Sequence, residues 1–578
     1  MKLISVGLIS VGLISVGCSA PKPSGPVLGS GDAAFNALAT EIAEDSYRRG
    51  PSGATYLGIH KYDDQLEDFS AGAFYAHIDA AKAFKVRLDA IDPATLTEDA
   101  RLDREYLSRQ MTATAVQLDV VRAWTKDADS YSTAATNSVY TIMKRNFAPE
   151  ADRLKLVIAR EKKIPTLLGE ARKNLSNPPE IFTKIAIEQI DGNQGFFKND
   201  LPLAFAQVTD AALVSDFRAS NASVIAALDE YKTWLQKSLL PRSKGSFALG
   251  SATYSQLLAA NEMVEMPLDQ LLVVAEANRQ KNEEALVAAV RLIDPNMRVE
   301  DVLKKIEADH PPADQLLKTT QDALDALRQF IVDRKILTIP ASEPAHVQET
   351  PPFQRSTTSA SMDTPGPFEE KATEAYYNMT LPDPRWPKAE QLDFMRQWYY
   401  PAISNVSVHE VYPGHYVQFL YAKKFPTITR KVFGANTNIE GWAHYCEQLM
   451  LDEGFHSTEP AYRVAQLQDA LLRDVRFIVG IKMHTQGMTV DQAKALFETD
   501  GHQPSAIALS EAKRGAGDPF YGYYTMGKLA ILKLRDDYKA QKGSAYSLQA
   551  FHDAFIQIGP LPLPLVREKM LGARGSMF

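Results

Sequence analysis

From Ala33 to about Ile339 the apolar residues fall at helical spacing, as in Phe35, Leu38, Ala39 and Ile42, or Leu154, Val157 and Ile158. A stripe of this kind buries one face of a helix and leaves the other to water. Leu268, Leu271, Leu272 and Ala275 repeat the pattern directly after Pro267, which marks a helix start. Breaks at Asn177-Pro178-Pro179, Leu240-Pro241 and His310-Pro311-Pro312 punctuate the helices, and none is long enough to bound a domain. Phe247-Ala248-Leu249-Gly250 suggests a short non-helical connection. Between Pro340 and Thr373 the helical pattern stops. Pro351-Pro352, Ser356-Thr357-Thr358-Ser359 and Pro365-Gly366-Pro367 make this the longest turn-rich passage, read as a loop over a site or a linker between lobes. Ala375-Tyr376-Tyr377-Asn378-Met379-Thr380, bounded by Pro382, predicts a short strand. From Glu390 onward the pattern is again helical, most regularly from Leu467 to Met483. The expectation is a mostly α, multi-helix protein with one short β element. Residues 33–578 form a single large helical domain in this reading, with an N-terminal half over 33–340 and a second half over 373–578.

The first residues break with that pattern. Lys2 precedes the apolar repeat Leu-Ile-Ser-Val-Gly, which runs from Leu3 to Gly17 and is followed by Cys18 and a Pro-rich stretch. This segment is too short to span a bilayer as a helix and reads as a signal peptide over 1–17. Ser15-Val16-Gly17-Cys18 resembles a bacterial lipobox, although Ser15 stands where Leu is usual. Cys18 is therefore the expected lipidation site, and 18–32 the tether of a protein exported and anchored to the bacterial cell envelope by lipid. The only other cysteine is Cys446, so a lipidated Cys18 leaves no internal disulfide. Cys446 itself is most simply a buried small hydrophobe.

At 578 residues, 45% hydrophobic and 23% charged, the chain is long enough for a substantial core. A formal charge of -8 and the lack of any basic block set nucleic-acid binding aside.

Chemistry concentrates in two short runs, Val408-His409-Glu410-Val411-Tyr412-Pro413-Gly414-His415 and Asn438-Ile439-Glu440-Gly441-Trp442-Ala443-His444. Two histidines and a carboxylate supply the nitrogen and oxygen donors of a zinc site, and a further carboxylate is at hand for a water proton. The spacing is unusual. Histidines four apart sit about 40° apart on a helix, whereas His409 and His415, six apart, would lie roughly 240° apart on an unbroken one. Pro413 fits poorly inside a helix and Gly414 permits positive φ, so a break between Glu410 and His415 is locally encoded. The reading therefore demands that the helix carrying His409 bend or end before His415. His409, His415 and Glu440 are the expected metal ligands, and Glu410, beside the first histidine, the general base. His444, one turn beyond Glu440, stays open as a ligand, a supporting group or a substrate contact. Zinc, one per chain, is the expected ion, although a His-His-Glu set also accepts manganese or cobalt.

His409-Glu410 with Pro413-Gly414-His415, the Glu440-Gly441-Trp442-Ala443 run, and Asp518-Pro519 to Gly527-Lys528-Leu529 together resemble the bacterial DUF885 family, much of it lipoproteins. The resemblance implies a zincin-like fold of the gluzincin or oligopeptidase kind and a metallopeptidase site with zinc on His409, His415 and Glu440. It also implies that a strand ahead of the metal helix binds the substrate backbone, which points to Tyr377 and Asn378. Tyr524, three residues before Gly527, stands where the family has a tyrosine. A phenol there suits an oxyanion, although Tyr521 and Tyr523 lie close in sequence. Arg476 and His484, eight apart on the long regular helix, are candidate substrate contacts, Arg476 as a grip on a terminal carboxylate. Arg514 is a further candidate.

The function expected is a zinc-dependent hydrolase, a peptidase acting on peptide substrates in the envelope. Two other classes use the same residues: a metal-dependent amidase or esterase on a non-peptide substrate, and a non-catalytic helical binding lipoprotein with a structural metal. Nothing in the sequence specifies an oligomeric state.

Overall fold

Helix α1 (Glu150–Glu161) turns the apolar stripe into structure by burying Leu154, Val157 and Ile158. Glu150 and Asp152 lie in its first turn and Arg160 in its last, each charge matched to the nearer end of the helix dipole. Helix α2 (Ala211–Trp234) is capped by Asp210, whose side chain accepts from the amides of Ala212 and Leu213. Its buried Phe217, Val224, Leu228 and Tyr231 share one apolar cluster with the α1 residues.

The computed structural model describes residues 27–341, 343–351, 355 and 358–578. The signal segment, Cys18, the tether as far as residue 26, and Pro352, Ser356 and Thr357 of the turn-rich passage lie outside these residues. Among the described residues no helix is long and apolar enough to cross a membrane.

Helix α3 (Leu268–Ile293) begins directly after Pro267, as the sequence suggests. Three strands follow: β1 (His346–Glu349), β2 (Ala360–Asp363) and β3 (Tyr376–Met379). The first two fall inside the passage read as a loop or linker, which is a correction to that reading. Four-residue strands are too short to show an alternating pattern against a background of turn residues. The strand order is β1-β3-β2, with β1 parallel and β2 antiparallel to β3.

The second half is helical: α4 (Tyr400–Glu410), α5 (His415–Ala422), α6 (Asn436–Asp452), α7 (Pro460–Thr485), α8 (Ser505–Gly517) and α9 (Tyr523–Lys542). The long regular stretch seen in the sequence is α7, and α3 packs along it. Leu102, Tyr106 and Met263 from the first half share an apolar cluster with Val408, Trp442, Tyr445 and Leu449 from the second, so the core is continuous across the halves.

Helices α6 and α9 cross at two glycines. A Cβ on Gly527 would lie 1.9 Å from the Thr437 carbonyl oxygen, and one on Gly441 would lie 2.5 Å from the Gly527 Cα. Only glycines allow these backbones to touch. The contact brings the start of α9, with Tyr523 and Tyr524, up to the Glu440 turn of α6.

Candidate metal centre

Helix α4 ends at Glu410 and α5 begins at His415, so the two histidines sit on separate helices and their spacing no longer keeps them apart. Between them the Tyr412–Pro413 peptide is cis. The Trp442 indole donates to the Pro413 carbonyl over 3.0 Å, which ties the break to α6. Gly414 acts differently from expectation. Its φ is -68°, an ordinary value, and the glycine is required because a Cβ would lie 1.8 Å from the His409 carbonyl oxygen.

The break directs both imidazoles at Glu440. His409 Nε2 lies 3.5 Å and His415 Nε2 3.3 Å from Glu440 Oε2. The two rings are nearly perpendicular, 4.8 Å apart. One ligand atom from each of the three residues falls within 4.8 Å of the others. Glu440 Oε2 is buried and, among the described residues, accepts no hydrogen bond. A buried oxygen of this kind is expensive unless something else satisfies it. Two imidazole nitrogens and a carboxylate oxygen around one point are the donor set of a three-residue zinc site, and the residues fit such an ion.

Behind this face lies a second layer. Glu447 accepts from His409 Nδ1 at 2.7 Å and from His444 Nδ1 at 3.0 Å, and is ion-paired with Arg473 at 3.0 Å. When His409 is neutral, an Nδ1–H donated to Glu447 leaves the Nε2 lone pair facing Glu440, the tautomer a ligand histidine needs. Burial opposes charge on Glu447, but Arg473 and the two histidines hold its carboxyl well below the usual range. Burial likewise opposes charge on His409, yet the carboxylates of Glu440 and Glu447 outweigh it and raise the imidazole to about 9. His444 is the reverse. Burial, aided by the charge of Lys528, pushes it down to about 3 and keeps it neutral.

Glu410 follows His409 in the chain and is partly exposed, and among the described residues its carboxylate has no hydrogen bond or ion pair. Tyr524 stands opposite, its ring 6.2 Å from that of His409. The guanidinium groups of Arg473 and Arg476 lie 5.5 Å and 5.2 Å from the Tyr524 ring centre, a cation–π arrangement that fixes the phenol.

Residues 51–570 match the model of a family described as bacterial protein of unknown function, DUF885. The chain belongs to the DUF885 family. Two solved structures share its layout. One, a candidate lipoprotein of unknown function from Shewanella oneidensis, is 26% identical with a TM-score of 0.78, over 93% of this chain and 99% of that one. The other, a candidate lipoprotein from Colwellia psychrerythraea, is 16% identical with a TM-score of 0.80, over 94% and 99%. No curated protein matches the chain.

Several residues expected at this DUF885 site stand elsewhere or are already engaged. Strand β3 is central, paired on both sides, so Tyr377 and Asn378 cannot add a substrate strand. Tyr377 is fully buried, and Asn378 is bonded to Gln348 and Ser361. The edge that lies against α4 is β2, which the sequence did not reveal. Arg476 is held by two 2.7 Å bonds to Glu511, so its fork is filled from within the protein. His484 is buried and bonded to the Gly515 carbonyl at 2.8 Å, out of reach of a substrate. His444 is fully buried and touches Glu447, which leaves it a supporting role. Arg514 remains partly exposed beside Tyr523, paired with Asp518 at 3.1 Å. Cys446 is free and buried, its thiol pushed up by burial. Sequence reasoning missed Glu447, although 440, 444 and 447 fall on one helical face, the signal that could have found it.

Proposed function

We propose that this DUF885 protein is a zinc-dependent hydrolase of zincin-like layout that cleaves peptides outside the cytoplasm. The observation that carries the reading is the convergence of His409, His415 and Glu440, with Glu410 next to His409 in the chain and its carboxylate without a hydrogen bond or ion pair among the described residues. When bound at those three side chains, zinc supplies Lewis acidity toward a carbonyl and makes a water more acidic. Glu410 takes a proton from the attacking water as its oxygen bonds to the carbonyl carbon, then passes that proton to the nitrogen as the carbon–nitrogen bond breaks. The Tyr524 phenol donates a hydrogen bond to the oxyanion that develops, held in place by Arg473 and Arg476. Glu447 fixes the His409 tautomer throughout. Edge strand β2 offers backbone donors and acceptors to an extended substrate. Export and a lipid on Cys18 complete the reading, supported by the two similar structures being described as candidate lipoproteins.

Metal analysis and peptide hydrolysis on the same preparations test it. One zinc per chain is expected in the parent, lost in both His409→Ala and Glu440→Ala. Glu410→Gln keeps its zinc and loses about 10²- to 10⁴-fold in rate, the usual worth of a general base. A Glu410→Gln variant that cleaves peptides at the parent rate removes the catalytic assignment. Zinc retained by His409→Ala removes the site.

A further inference from the structure

A cavity of about 460 Å³ opens between α3, α6, α7 and α9, in the size range of small-molecule sites. Its lining holds the cations Lys281, Arg463 and Lys528 and no carboxylate. Arg463 is paired with Asp452. Lys528 is different: it is 2% exposed, and among the described residues its ammonium has neither hydrogen bond nor ion pair. The carboxylates of Asp474 and Glu447 act on it only from a distance. Gln466, 1% exposed, accepts from Arg463 through its oxygen. A buried residue thus presents its cation to the cavity with no acceptor among the described residues, which is costly unless a ligand supplies one. The remaining wall is aliphatic, with Ala285, Ala289, Leu529 and Leu532 leading to a rim at Leu292, which is 77% exposed.

We propose that this cavity binds an aliphatic carboxylate, its head group at Lys528 Nζ and its chain along the alanine and leucine wall toward Leu292. The cation recognises the carboxylate, and the wall selects an apolar body over a bare anion. The inference stands apart from the hydrolase reading, because none of these side chains takes part in the proposed chemistry.

Titration calorimetry of the purified chain with octanoate tests it. Saturable one-to-one binding is expected, weaker by about tenfold or more in Lys528→Met, the loss of one good polar contact. Ala285→Phe keeps Lys528, fills the cavity from α3 and is expected to abolish binding, so the test survives if Lys528→Met does not fold. Binding is unchanged in His409→Ala, which separates this cavity from the candidate metal centre. Three results overturn the proposal: no saturable binding by the parent, acetate binding as tightly as octanoate, or binding lost in His409→Ala and kept in Ala285→Phe.

Discussion

Glu161 and Glu447 are both buried carboxylates on helices, 0% and 1% exposed, yet they stand in opposite electrical surroundings. Glu161, at the end of α1, accepts from the Ser220 hydroxyl and from Asn221 Nδ2, and among the described residues no cation forms an ion pair with it. Burial prevails there, and pushes its carboxyl up from the ordinary 4.5 to about 7. Glu447 is surrounded by Arg473, His409 and His444, and the same burial is overruled. The first half of the chain thus satisfies a buried acid with neutral donors, at the expense of its charge. Around the candidate metal centre the charge is kept, chiefly through the Arg473 guanidinium. That difference separates a group used for packing from one that holds His409 in a fixed orientation at the candidate metal centre.

The largest test of the contrast is Glu447→Gln. The side chain keeps its shape but no longer neutralises Arg473, leaving a buried cation without its partner. A loss of about 3–5 kcal/mol is expected, read as a lower urea midpoint, together with weaker zinc binding as His409 loses the group that orients it. A loss under about 1 kcal/mol, within the range of an exposed ion pair, would show that solvent already screens the cluster and would erase the distinction.

The same contrast explains what the sequence disclosed. His409, Glu410, His415 and Glu440 are legible because each sits in a local pattern, and Pro413-Gly414 encodes the break that the six-residue spacing demands. Glu447 and Glu161 are not, since a glutamate on a helix reads as a solvated residue until the other helices are placed around it. Glu511, the partner of Arg476, lies 35 residues away on α8, so Arg476 looked free to grip a substrate. Gly414 was recognised for the wrong reason, because close approach of the His409 carbonyl is a property of the folded turn. The helices were visible through their periodicity, whereas β1 and β2 were hidden because strands of four residues leave no period to detect.

Glu161→Gln sharpens the contrast from the other side and is next in size. Glutamine can accept from Asn221 and donate to Ser220, so the packing is kept and only the titration is removed. Below pH 4.5 both folded and unfolded states hold the proton and the group makes no difference. Between pH 4.5 and about 7 the folded state binds more protons than the unfolded, so the parent loses stability as pH rises, and above about 7 the loss is complete. The variant escapes this loss. It is expected to match the parent near pH 4 and to exceed it by about 3 kcal/mol at pH 8, measured as urea midpoints at the two values. A parent whose midpoint does not fall over this range would place Glu161 among the charged acids, with Glu447.

Ser220→Ala has the smallest expected effect and separates the two states of Glu161 most directly. The Ser220 hydroxyl donates to Glu161 and also approaches the Phe217 carbonyl at 3.1 Å. At pH 5 Glu161 is mostly protonated in the folded state, and removing a neutral hydrogen bond costs about 1 kcal/mol. At pH 8 the carboxylate is ionised, the bond is charge-assisted and about twice as strong, so the cost rises to about 2 kcal/mol. The deficit of the variant should therefore widen with pH, because the alanine pushes the Glu161 carboxyl still higher and extends the penalty upward. Unfolding free energies of the two proteins at pH 5 and pH 8 measure this. An equal deficit at both values would mean that Glu161 does not change charge between them, and the neutral acid of the first half would no longer stand against the charged one beside His409.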